Sequence, residues 1–168
     1  LIFDKNILIE KIFISSFNLT INLGNYSYLF SIICILIFLN AFNMFDGMNM
    51  QSGSYSLFII TLLFIYSEEF LFLIILFLSL VTFLYLNYKS KIFLGDSGSH
   101  LLGFAISYLI IFSAKQTDYI ILSADKIFLF MILPGLELIR LFTVRIIKKR
   151  HPFSSDRNHI HHILLKHY

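Results

Sequence analysis

Five apolar runs, about Tyr26 to Phe42, Gly53 to Tyr66, Phe70 to Leu86, Gly98 to Ser113 and Ile127 to Ile147, are divided by short polar segments. Most approach the roughly 20 residues that a helix needs to cross about 30 Å of hydrocarbon, and the second is short. The runs are continuously apolar and lack the alternation of an outer-membrane barrel strand, so helices are predicted. Before the first run, Ile7 to Ile14 and Leu19 to Leu23 carry β-branched and alternating residues around Ser15, Ser16 and Asn18, with Gly24-Asn25 closing the segment. That pattern predicts a short β-hairpin. The fold class expected is an all-α membrane protein: a polytopic transmembrane helix bundle of about five spans with a short external β-hairpin.

Polar segments separated by an even number of crossings share a face, and those separated by an odd number lie on opposite faces. Counted in this way, Asp46 and Asp96 fall on one side, together with Lys89, Lys91, Arg145, Lys148, Lys149, Arg150 and Arg157. Glu68, Glu69, Asp118 and Asp125 fall on the other, where Lys115 and Lys126 dissent. The excess of basic residues predicts that the face carrying Asp46 is cytoplasmic. If the second and third runs formed a hydrophobic hairpin that does not cross, Asp46 and Asp96 would still share a face.

Composition supports the same class. Hydrophobic residues make up 58% of 168 residues, mean hydropathy is +0.82, and charged residues are only 14%, too apolar a balance for one soluble core. A net charge of +3 does not imply nucleic acid, because the basic residues cluster beside apolar runs and form no stripe with aromatics. Cys34 is the sole cysteine, so no intrachain disulfide can form. No repeat or Pro-rich linker divides the chain, and residues 1–168 read as one membrane domain, with 1–25 external and 148–168 a cytoplasmic His-rich loop. The start on Leu1, without an initiator Met or a signal peptide, reads as a truncation.

Chemistry is concentrated in three polar segments. Asn40, Asn43 and Asp46 recur at three-residue spacing through the end of the first span, on one helical face, and Gly47 lets the chain turn. Leu94-Gly95-Asp96-Ser97-Gly98-Ser99 is a small-residue segment opening the fourth span, where backbone N–H groups suit an anion and Asp96 suits a cation. The tail from Arg150 to His162 gathers four His, two Arg and an Asp next to the membrane. His159 and His162 have helical ligand spacing, but no Cys and one nearby acid leave a closed zinc set incomplete, which favours phosphate or sugar contacts. Pro134 should kink the last span, and Glu137 one turn later is expected to pair internally with Arg140.

These segments carry a resemblance. Asn40-Ala41-Phe42-Asn43-Met44-Phe45-Asp46-Gly47, Phe93-Leu94-Gly95-Asp96-Ser97-Gly98-Ser99 and Pro152-Phe153-Ser154-Ser155-Asp156-Arg157-Asn158-His159-Ile160-His161-His162 are similar to three ordered motifs of the polyprenyl-phosphate N-acetylhexosamine-1-phosphate transferases. The likeness is to the WecA-like branch, and more distantly to MraY, and runs from about Asn25 to the C-terminus. It implies transfer of an N-acetylhexosamine 1-phosphate, GlcNAc-1-phosphate in the first instance, from a UDP-sugar to undecaprenyl-type polyprenyl phosphate, with release of UMP, for cell-envelope polysaccharide synthesis. It further implies a bacterial plasma (inner) membrane location, a cytoplasmic active site, Mg2+ as cofactor and room for a homodimer. By the resemblance Asp46, Asp96 and His161 are catalytic, and Asp96 holds the metal. Asn43, Asn87, Phe93, Arg157, His159 and His162 contact substrate, with Phe93 stacking on uracil.

Three departures qualify that expectation. Asn49 stands where the family motif continues with an acid, and an amide cannot act as a base or charged metal ligand. The last span carries Glu137 where the family has Asp. The family's adjacent Asp-Asp pair is missing, so the chain is expected to be the C-terminal portion of a larger transferase, without turnover as an isolated fragment. A rival expectation is a truncated, non-catalytic membrane paralogue that binds nucleotide sugar or lipid phosphate. A third, a proton-relay transporter fragment, would need its histidines within the spans, whereas only His100 lies at a span edge.

Overall fold

In the computed structural model, residues 7–66, 70–116 and 122–148 are described. The segment Lys11–Ile14 (β1) pairs antiparallel with Leu19–Asn22 (β2), Lys11 opposite Asn22 and Ile14 opposite Leu19. A 3-10 turn over Ser15–Phe17 joins them, and Asn18 takes the left-handed conformation that asparagine tolerates. Among the described residues five helices follow: α1 Ser27–Phe45, α2 Gln51–Leu63, α3 Phe70–Tyr88, α4 Gly95–Gln116 and α5 Ala124–Ile147. The expected hairpin and helix bundle are both present.

Four of the helices, all but α2, are long and apolar enough to cross a membrane. With 13 residues, α2 extends only about 20 Å. Helices α1, α3, α4 and α5 begin or end one to three residues outside the apolar runs, because the first polar residues at a border still complete backbone hydrogen bonds. The largest consequence is at α4, which starts at Gly95 and therefore includes Asp96 in its first turn.

Helix α1 packs against α4 and α5, and α2 packs against α3 and α4. The core gathers Phe38, Phe42 and Phe45 of α1 with Tyr55, Ile59 and Leu63 of α2 and Leu102, Ile106 and Leu109 of α4. Close approach is secured by small residues, as in membrane bundles generally. A Cβ on Gly103 would lie 3.3 Å from Phe42 Cβ, and one on Gly53 would lie 2.8 Å from Leu84 Cδ2.

Pro134 lies inside α5 and has no N–H for the Phe130 carbonyl, one turn earlier. The Tyr55 hydroxyl donates to that carbonyl instead. This tyrosine is buried between the Phe42 and Phe45 rings, so the bond both satisfies an orphaned backbone oxygen and ties α2 to α5. On the same helix Arg140 donates to Glu137 from Nε at 2.8 Å and from Nη2 at 2.5 Å, the internal pair expected from the sequence.

The hairpin is docked by side chains. Ser31 Oγ, fully buried in α1, accepts from Ile9 N–H at 2.8 Å and donates to the Ser27 carbonyl at 2.7 Å. Asp125, in the first turn of α5, accepts from Ser15 N–H at 3.2 Å, from Ser15 Oγ at 2.5 Å and from Ser16 Oγ at 3.2 Å. At the opposite end of the bundle, Lys89 Nζ sits 4.3 Å from the centroid of the exposed Tyr85 ring, a pairing suited to the membrane–water border.

Candidate active site

The end of α1 and the start of α4 meet, and with them the first two polar motifs. Asn43 lies two residues from the α1 terminus, and its Nδ2 donates to Ser99 Oγ at 2.7 Å and to Asp96 Oδ1 at 3.3 Å. Ser99 is buried and turns its own hydroxyl back on the Asp96 carbonyl at 3.0 Å. Asp96, Ser99 and Gly103 are spaced at three and four residues, so they form one stripe of α4 facing α1. Asp96 itself is exposed, in the first turn of a helix whose dipole favours a carboxylate there.

Asp46 caps the C-terminus of α1, and its Oδ1 accepts from Ser52 Oγ in the first turn of α2. Ser52 is buried, so the carboxylate is anchored on one oxygen near the N-terminus of α2. Between them Met50 adopts a left-handed conformation with φ of 69°, unusual for a side chain of that kind. Its N–H donates at 2.6 Å to Asn87 Oδ1.

Asn87 is only 3% exposed, and its Nδ2 donates to the Ile92 carbonyl at 2.7 Å. One amide therefore fastens the loop after α1 and the loop after α3. The second loop is itself shaped by a Schellman closure of α3, in which Lys91 N–H reaches the Leu86 carbonyl at 3.0 Å and Ser90 N–H the Asn87 carbonyl at 2.9 Å. Ser90 holds the left-handed position, with φ of 52°, where glycine is commonest. Its Oγ accepts from Asn49 Nδ2 at 3.3 Å, so the residue that departs from the motif takes part in holding the two loops together.

Of the residues singled out from the sequence, the fold joins Asn43 to Asp96 directly, places Asp46 one turn beyond Asn43, and sets Asn87 beneath both loops. Phe93 is 66% exposed in the segment before α4, where its ring is free for stacking. Asn40 does not join them, since its Nδ2 donates to Leu36 of its own helix at 2.8 Å. Arg157, His159, His161 and His162 lie outside the described residues. Ser52 and Ser99 were not assigned roles from the sequence. Ser99 carries a signal, the helical spacing from Asp96, whereas the pairing of Ser52 with Asp46 depends on how the intervening loop closes.

The donors assembled here are hard oxygens: two carboxylates, an asparagine amide and serine hydroxyls. Such a set fits Mg2+, which takes one or two protein carboxylates and fills its remaining positions with water and substrate phosphate. Among the described residues no group of three His, Cys, Asp or Glu converges, so a softer, protein-enclosed metal centre is not formed by them.

A multi-pass helical membrane protein with an asparagine–aspartate contact between two helix ends at one end of its bundle is the class that fold and site define. The family model for glycosyl transferase family 4 matches residues 1–114, and the chain belongs to that family. Among curated relatives, the undecaprenyl-phosphate alpha-N-acetylglucosaminyl 1-phosphate transferases of Salmonella typhi and of Escherichia coli strain K12 are each 26% identical, over 86% of this chain and 42% of their own length. The protein of the same name from Pasteurella multocida strain Pm70 is 31% identical over 46% of this chain and 22% of its own. The chain thus spans about two-fifths of the length of the first two relatives. No solved structure matches it.

Proposed function

We propose that this chain forms the nucleotide-sugar and metal side of a transferase that moves N-acetylglucosamine 1-phosphate from a UDP-sugar to undecaprenyl-type polyprenyl phosphate at the cytoplasmic face of a bacterial inner membrane. The observation that carries the reading is the Asn43 bridge, which joins the end of α1 to Asp96 and Ser99 in the first turns of α4 at one end of the bundle. Relatives whose names state this activity support it, as does the basic bias of the same end, where Lys89, Lys91 and Lys148 lie.

The chemistry joins a membrane-bound anion to a soluble one. A phosphate oxygen of the lipid attacks the β-phosphorus of the UDP-sugar, the bond from that phosphorus to the bridging oxygen breaks, and UMP leaves with the electron pair. A reaction between anions needs its charge neutralised and its partners aligned at the border between lipid and water. Asp96, exposed and oriented through Oδ1 by Asn43, is the residue that would hold Mg2+, with Asp46 one turn beyond Asn43 at the end of α1. The ion, when bound, neutralises the diphosphate and polarises its phosphorus–oxygen bonds. Phe93 offers a face for uracil, and Asn43, Asn87 and the α4 N-terminus shape the nucleotide side. Arg157, His159, His161 and His162 would bring cationic groups to the diphosphate and sugar, with His161 acting in catalysis.

The test is Asp96→Asn in the intact protein. Mg2+-dependent UMP release should be lost, with little change in the amount of protein in the membrane; undiminished release would overturn the metal role. Binding of the UDP-sugar without UMP release, in protein that retains Asp96, would instead favour a non-catalytic paralogue.

A further inference from the structure

At the hairpin end of the bundle, far from the acidic loops, two concave regions share one lysine. The first is an apolar cavity of about 330 Å3 between the hairpin, α1, α4 and α5, walled by residues that include Phe13, Phe30, Cys34, Ile111 and Met131, and by Lys11. The second, polar region also includes Lys11, with Glu10, Asn22 and Tyr28. Cys34 is seven residues into α1, so the apolar cavity reaches about 10 Å along that helix from its start. That depth corresponds to the upper part of a lipid acyl chain.

The charges at this place are unequal. Lys115 is matched by Glu10 at 3.1 Å, whereas among the described residues no hydrogen bond or ion pair engages Lys11. An apolar slot beside an unmatched ammonium group is complementary to an amphiphile with an anionic head. The surrounding leaflet presents such molecules at high local concentration, and basic side chains near its surface attract them.

We infer that this is a binding site for one anionic phospholipid of the leaflet on the hairpin side, with an acyl chain in the cavity and its phosphate at Lys11. The lipid fills the gap that separates the hairpin from α1, α4 and α5, and so completes the packing of the bundle at the end opposite the transferase loops. It is a structural lipid, distinct from the lipid that the proposed reaction would consume.

These 168 residues hold no tryptophan, so an introduced one is read as the difference from the parent protein. Phe128→Trp places one on the cavity wall, at a position already 65% exposed. In phosphatidylcholine nanodiscs, brominated phosphatidylglycerol should quench this emission at least about twofold more than the same fraction of brominated phosphatidylcholine, because the head group adds affinity. Lys11→Gln should make the two lipids equal, and Lys11→Arg should restore the preference. Equal quenching in the Lys11 protein, or a preference that survives Lys11→Gln, would overturn the inference. So would displacement of the brominated lipid by stoichiometric polyprenyl phosphate, which would assign the cavity to the proposed substrate.

Discussion

Pro134 of α5 and Tyr55 of α2 form a coupled pair although they are on different helices. The carbonyl of Phe130 would be left without a donor in an apolar interior, and the Tyr55 hydroxyl is the group that reaches it. Tyr55→Phe should therefore lower stability by about 1–3 kcal/mol, the usual consequence of leaving a buried polar group unpaired. Replacing Pro134 by Ala restores the backbone N–H that this carbonyl would bond to in an unbroken helix. The loss caused by Tyr55→Phe should then shrink to well under half in the Pro134→Ala background, as measured by thermal unfolding in detergent. Additive losses in the double variant would show that the hydroxyl acts through packing alone. At this scale the sequence was legible where a residue announces its own chemistry: Asn43, Asp46, Asp96 and the Glu137–Arg140 pair could all be picked out. It was silent where a partner is brought by folding, as with Ser52 for Asp46, Met50 for Asn87 and Phe130 for Tyr55.

Helix α4 is the element that relates packing to the site. Its stripe of Asp96, Ser99 and Gly103 lies against α1, and the glycine is what allows Asn43 to come within hydrogen-bonding distance of the other two. An alanine at Gly103 would bring its Cβ to 3.3 Å from Phe42 Cβ, a crowding relieved by a shift of a few tenths of an ångström. A leucine has no such room and must push the helices apart. If the proposed transfer holds, Gly103→Ala in the intact protein should keep UMP release within about tenfold of the parent, whereas Gly103→Leu should reduce it by about 100-fold, the scale expected when catalytic groups are displaced by an ångström. Equal activity in the two variants would mean that the α1–α4 contact does not set the site. Apolar runs indicated this helix in the sequence but placed its start at Gly98. Small polar residues at a membrane border score as loop by hydropathy, yet Gly95 to Ser97 are helical and Ser99 returns its hydroxyl to the Asp96 carbonyl.

For the whole molecule, the short α2 decides how the bundle relates to the bilayer. Its 13 residues end about 10 Å short of the roughly 30 Å apolar layer, if α2 starts at the border marked by Lys89 and Tyr85. Just after it Tyr66 packs on α5, its ring 6.3 Å from that of Phe130, six residues from the start of that helix. By composition the second run reads as a span, whereas its helix alone is too short to cross the apolar layer. Three single cysteines in a Cys34→Ala background separate the cases. An impermeant maleimide added to spheroplasts should label Phe17→Cys at the hairpin tip, which is 80% exposed, and should reach Lys91→Cys only after lysis. Ile65→Cys, just beyond α2, should resist the reagent from both sides if α2 ends within the apolar layer. Labelling of Ile65→Cys as fast as Phe17→Cys would show that α2 and its following turn reach water. Labelling of Phe17→Cys and Lys91→Cys from one side alone would separate the acidic loops from the cytoplasm or the hairpin from the exterior, and would remove the positional argument for joining a soluble nucleotide sugar to a membrane lipid at this end of the bundle.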